Sequence, residues 1–74
     1  MKPEYITYDY AASDKWFLFA TVRGNDLDLR RDLESADYQV DIGTGTRGEI
    51  LVHRSMYRNA RAVLVRKGWH RIGG

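Results

Sequence analysis

Arg54, Arg58, Arg61, Arg66, Lys67 and Arg71 fall within 18 residues, interleaved with Tyr57, Trp69 and His70. Guanidinium forks match the paired oxygens of phosphates and carboxylates, and neighbouring aromatic rings stack on unpaired bases. From residue 45 onward arginine outnumbers lysine six to one, as expected where donor geometry matters beyond solubility. The chemistry this spacing suits is capture of an anion, with nucleic-acid phosphate foremost. A solvated helix face whose arginines pair with the chain's own carboxylates is the competing reading.

Other groupings carry less. Gly43-Thr-Gly-Thr-Arg-Gly48 matches G-x-G-x-x-G letter for letter. A dinucleotide site needs those glycines to open a helix whose amides hold the pyrophosphate. Here they run into a strand-like segment, so a hairpin loop is expected, with Arg47 at its tip able to touch a phosphate. His53, Arg54, His70 and Tyr57 are the residue types of small ribonucleases. The two histidines stand 17 residues apart, however, and there is no cysteine nucleophile or metal-spaced histidine cluster. A non-enzymatic domain without cofactor or metal is expected. Tyr8 and Tyr10, from a set of five tyrosines, would suit a protein interface or a homodimer if exposed on an edge strand.

The 74-residue chain is expected to form one domain with a thin core. It contains no cysteine, so no disulfide or thiolate site supplements that core. Its longest apolar stretch, Trp16 to Val22, is far short of the roughly 20 residues that span a bilayer. Acidic residues precede it where a secretory signal would be basic, so a cytoplasmic protein without membrane contact is expected. Charge is divided along the chain. Residues 1 to 44 carry five Lys/Arg against nine Asp/Glu, and residues 45 to 74 carry seven against one. Such a division steers a charged partner unless the halves neutralise each other in the fold.

The elements that must position these groups are legible from hydrophobic period. Alternation over residues 4–10 predicts a strand. Residues 15–23 predict a second, with Trp16, Leu18, Ala20 and Val22 on one face and Phe17 and Phe19 on the other. Being apolar on both sides, it should be central, covered on both faces or on one by a partner. Asn25 or Asp26 caps a helix to about Ala36 with a Leu29/Leu33/Ala36 stripe. Residues 38–42 and 49–53 predict two more strands. Residues 55–67 read as a helix with Ser55 as N-cap, Met56, Ala60, Val63 and Leu64 buried, and Gly68 stopping it with Trp69 folded back onto Leu64.

The last stretch also reads as a strand over residues 61–67. The order would then be ββαβ, a short strand, a turn and β, before Gly73-Gly74. That order and tail resemble ubiquitin-like β-grasp proteins, and the resemblance implies a terminal diglycine that is activated and conjugated. It covers element order and two residues, and Gly68-Trp69-His70 departs from the unbroken strand that leads into such a tail.

The helical reading gives an α+β domain with a four-stranded, mostly antiparallel sheet in β-β-α-β-β-α order and both helices on one face. Trp16, Leu18, Phe19, Val22, Leu29, Leu33, Val40, Ile50, Val52, Val63 and Leu64 should dominate its core. The expected function is an interaction module in which Arg54, Arg58, Arg61, Arg66 and Arg71 engage nucleic-acid phosphate and Tyr57 or Trp69 stacks. The alternative is a regulator or inhibitor of phage or mobile-element type that occupies an acidic or nucleic-acid-binding surface of a host protein.

Overall fold

The computed structural model describes residues 3–10, 13–35, 42–44 and 49–72. In chain order these form β1 (Glu4–Asp9), β2 (Trp16–Thr21), α1 (Asp26–Glu34), β3 (Ile42–Thr44) and β4 (Ile50–His53). A 3₁₀ turn (Arg54–Met56), α2 (Tyr57–Arg66) and β5 (His70–Arg71) complete them. The fold is α+β, with one five-stranded sheet in the order β3-β4-β2-β1-β5. β5 lies parallel to β1, and the other neighbours are antiparallel.

The four-stranded expectation is therefore corrected to five strands. The added strand is two residues long, too short for an apolar alternation, and is made by the helix ending. Trp69 N–H donates to the Leu64 carbonyl at 2.8 Å and Gly68 N–H to that of Val65 at 3.1 Å, the paired bonds of a Schellman ending. This reversal drops Trp69 into the core and lays His70–Arg71 beside β1, where His70 N–H reaches Pro3 O and Ile72 N–H reaches Tyr5 O. Gly68 sits at φ +90°, and nothing lies within 4 Å of the point where a Cβ would stand. Gly68→Ala should thus cost about 1–2 kcal/mol through backbone strain alone, read as a lowered urea midpoint.

Because residues 57–66 are helical, the β-grasp reading, which needs a strand there, is overturned. Gly73 and Gly74 lie outside the described residues, as do Tyr38, Val40 and Arg47. The third strand begins at Ile42, where its expected span ended, and runs on through Gly43 and Thr44. The start of α1 differs as well. Asn25 makes no side-chain cap bond. Thr21 Oγ1 instead accepts from Asn25 N–H at 2.9 Å and donates to the Asp26 carboxylate. The helix ends at Glu34.

Register decides which side chains share a face. Tyr5, Thr7 and Asp9 of β1 lie opposite Thr21, Phe19 and Phe17 of β2, and the two phenylalanines lie opposite Ile50 and Val52 of β4. This face carries both helices. Tyr5, Phe19, Ile50 and Val52 bury against Leu29 and Leu33 of α1, Ala60, Val63 and Leu64 of α2, and Trp69.

The other face presents Ile6, Tyr8, Trp16, Leu18, Ala20 and Leu51, and none of these joins the core cluster. Trp16, Leu18 and Val22, expected in the core, are thus elsewhere. Trp16 and Leu18 are half-buried on the second face, and Val22 follows β2 at 50% exposure. Gly43 lies under the Trp16 ring, whose nearest atoms stand 3.4 Å from where a Cβ would be. Among the described residues no helix is long and apolar enough to cross a membrane.

Candidate nucleic-acid interface

Tyr57 is the hub of the arginine cluster, because the first turn of α2 sets it against the end of the covered sheet face. Its ring packs on Phe17 at 4.2 Å between centroids and meets Phe19 edge-on at 5.9 Å. Its hydroxyl shares a 3.0 Å hydrogen bond with Thr7 Oγ1. Arg71, brought alongside by β5, donates from Nε to the same Thr7 oxygen at 2.9 Å. One helical turn beyond Tyr57, the Arg61 guanidinium lies 5.5 Å over the Tyr57 ring, where its charge favours the ionised form of Tyr5. Arg58 is exposed on the same helix, three residues from Arg61 and so its neighbour on the helix surface.

Arg54 enters this cluster already engaged. Its guanidinium stacks over Phe17 at 4.7 Å, Nε donates to the Asp14 carbonyl at 2.8 Å, and Nη2 pairs with Asp9 at 3.3 Å. Both partners of that pair are more than half exposed, so it contributes at most about 1 kcal/mol. Even so, it removes one positive charge from the patch. Among the described residues no carboxylate pairs with Arg58, Arg61, Arg66 or Arg71.

Arg66 does not join them. Ala60, Val63 and Leu64 face the core, and Arg61 and Arg66, five residues apart, fall about 140° apart around the helix on opposite sides of that stripe. Lys67 instead lines an open groove of about 540 Å³ that mixes Glu4, Asp28 and Asp32 with Arg23 and Arg31. The basic segment therefore divides into a patch around Tyr57 and a separate end near the acidic flank of α1.

Trp69 is not offered to a base. It is 5% exposed, meets Tyr5 edge-on at 6.3 Å and donates from Nε1 to Asp32 Oδ2 at 2.7 Å. Tyr57 is half-buried, with its ring against Phe17 and under Arg61, so it too serves to position rather than to stack. Tyr8 is 49% exposed, and β1 is flanked by β5 only at Glu4 and Tyr5, so among the described residues no strand pairs that edge at Tyr8. Tyr10 follows the strand half-buried, its N–H bonded to Trp16 O.

The catalytic residue types do not assemble. His53 Nδ1 is held by Ser55, at 2.8 Å from Oγ and 3.2 Å from N, and the ring meets Trp16 edge-on. His70 lies on β5, separated from β4 by β2 and β1, which at strand spacing is about 14 Å. Among the described residues no three His, Asp or Glu side chains are placed to hold a metal ion. Gly43 and Thr44 of the glycine-rich segment lie in β3 and the next element is the strand β4 rather than a helix; residues 45–48 lie outside the described residues.

Residue type alone does not single out Tyr5 and Thr7. Their spacing of two, on the face that α2 covers, is the available signal. Burial raises the Tyr5 phenol above its ordinary value, while Arg61 and Arg71 oppose that rise. The folded chain thus holds this proton more tightly than the unfolded chain. The associated stability is complete below about pH 10 and is lost as pH climbs from there through the folded value. Tyr5→Phe should remove this component of the alkaline loss, measured as urea midpoints across that range.

Comparison with protein-family models, curated proteins and solved structures finds no match for this chain.

Proposed function

We propose that this domain binds nucleic-acid phosphate through Arg58, Arg61 and Arg71, without enzymatic activity. The supporting observation is that Arg61, over the Tyr57 ring, and Arg71, bonded to Thr7, come from different elements to the bonded Thr7–Tyr57 pair, and that among the described residues no carboxylate pairs with either. Thr7 and Tyr57 hold parts of both side chains in place, which lowers the rotamer entropy lost when an anion is captured. Arginine forks positioned in this way suit bidentate phosphate contacts. With Tyr57 covered and Trp69 buried, neither aromatic ring of the basic segment is offered to a base, so the expected mode is backbone contact with little sequence preference.

Fluorescence anisotropy with labelled single- and double-stranded DNA and RNA, titrated at low salt, tests this reading. Binding that weakens steeply with added salt is the expected result. An absence of binding to all four probes contradicts it and leaves the acidic protein surface as the partner class for the same arginines.

A further inference from the structure

We infer that the patch around Arg61, Arg71 and the Thr7–Tyr57 hydroxyl pair is a seat for a terminal phosphate monoester, the end group of a nucleic-acid strand. This rests on the phosphate reading above and narrows it to one kind of phosphate.

The supply of donors is the first ground. Tyr5 and Arg71 are register partners on parallel strands, so Arg71 shares the helix-covered face with Tyr5 and Thr7. Arg71 spends Nε on Thr7 Oγ1 at 2.9 Å, and its two Nη groups have no partner among the described residues. The Thr7 and Tyr57 hydroxyls share one hydrogen bond of 3.0 Å, which uses only one of their two protons. Whichever hydroxyl donates, the other keeps its O–H for an outside acceptor. Arg61, 5.5 Å over the Tyr57 ring, adds a second guanidinium from α2. Both cations act on the Tyr5 phenol, in keeping with their placement around one spot.

Charge and depth select the occupant. A phosphate monoester carries about two negative charges at neutral pH and three terminal oxygens, whereas an internal diester carries one charge and two free oxygens. Two guanidinium groups and one hydroxyl, brought by α2, β5 and the Thr7–Tyr57 pair, match the monoester. Thr7, Tyr57 and Arg71 are half-buried where α2, β1 and β5 meet, while Arg58 and Arg61 stand exposed. A terminal group can enter as far as the hydroxyls. A diester, held by chain on both sides, stays at the level of the exposed guanidinium groups. A phosphorylated side chain carries the same group, but Arg58 extends the positive surface beside Arg61, which suits the next phosphate of a strand.

Isothermal titration calorimetry of the full chain tests the inference, with single strands of one sequence ending in a 5′-phosphate, a 3′-phosphate or hydroxyls alone. A phosphorylated strand should bind at least roughly tenfold more tightly than the hydroxyl-ended one, the worth of one added charge-assisted hydrogen bond. The two phosphorylated arms tell which strand end is taken. Arg71→Lys keeps the charge but loses the fork, and Thr7→Val keeps the β-branched shape but loses the hydroxyl. In protein shown to be folded by thermal unfolding, each should bring that ratio below about threefold. Equal binding of all three strands overturns the inference and leaves the phosphate reading standing, whereas no binding of any strand removes both. A preference that survives both substitutions overturns it as well. So does a phosphoserine peptide that binds as tightly as the phosphorylated strand.

Discussion

Replacing Arg61 and Arg71 together by alanine is expected to reduce affinity for duplex or single-stranded oligonucleotides roughly 50-fold at 0.1 M salt, since each lost phosphate contact removes about 0.9 from the log–log salt slope. The slope itself should fall by about two. Arg66→Ala with Lys67→Ala removes the same formal charge from the other end of the basic segment. Arg66 lies across the α2 stripe from Arg61, and Lys67 lines the groove that holds Asp28 and Asp32, so the slope should be preserved and affinity should change by less than about threefold through the screened long-range field. The contrast separates a built patch from mere net charge. Equal losses in the two double variants would show that binding follows charge alone. Arg61 is exposed and Arg71 half-buried, so thermal unfolding should confirm that both double variants remain folded before their affinities are compared.

Phe19 and Leu18 are adjacent in β2 yet should respond to truncation by very different amounts. Phe19 is 1% exposed and stacks on Tyr5 at 5.8 Å, with the edge of Tyr57 against it. Phe19→Ala opens a cavity beneath both helices and should cost about 3–5 kcal/mol. A chain of 74 residues has about 4–11 kcal/mol of total stability at the usual value per residue. Loss of the cooperative urea transition, or its collapse to low denaturant, is therefore the expected result. Leu18→Ala removes a partly exposed side chain that lies on the helix-free face outside the core cluster, so it should cost less than about 1.5 kcal/mol. If the two variants were equally destabilised, the assignment of one covered and one open face would be wrong.

That assignment also shows how far the sequence can be read. Residues 16–20 alternate two apolar sets, which puts β2 at the centre of the sheet, but periodicity carries no information on which set the helices cover. Trp16 and Leu18 read as core residues for that reason, whereas Phe17 and Phe19 are the ones that face the helices. The helix at residues 57–66 is legible from its Ala60/Val63/Leu64 stripe and from Gly68, which can take the positive φ that ends it; the expected Ser55 cap is not made, because Ser55 lies inside the preceding 3₁₀ turn and Met56 stands at the N-cap without a side-chain bond. Two expectations for Trp69 exclude each other: folding back after a Schellman turn, and stacking on a base. The backbone bonds at Gly68 choose the first.

The site is legible only in part. Tyr57 and Arg61, four apart, share a helix face that any periodicity reading finds. Their convergence with Arg71 depends on a two-residue parallel strand, and the Asp9–Arg54 pair joins residues 45 positions apart. Neither leaves a local signal. Division of the charged halves is visible in composition. Which arginine meets a carboxylate is not, because pairing across the fold is set by register.

The central claim is that Arg61 and Arg71 hold an outside phosphate. The most direct measurement is an NMR titration following arginine Nε–Hε resonances as a short oligonucleotide is added at low salt. Shifts should concentrate at Arg61 and Arg71, with smaller ones at Arg58 and none at Arg66. Shifts at the backbone amides of Ile6, Leu18 and Leu51 without any at Arg61 and Arg71, or no shifts at all, would contradict the claim.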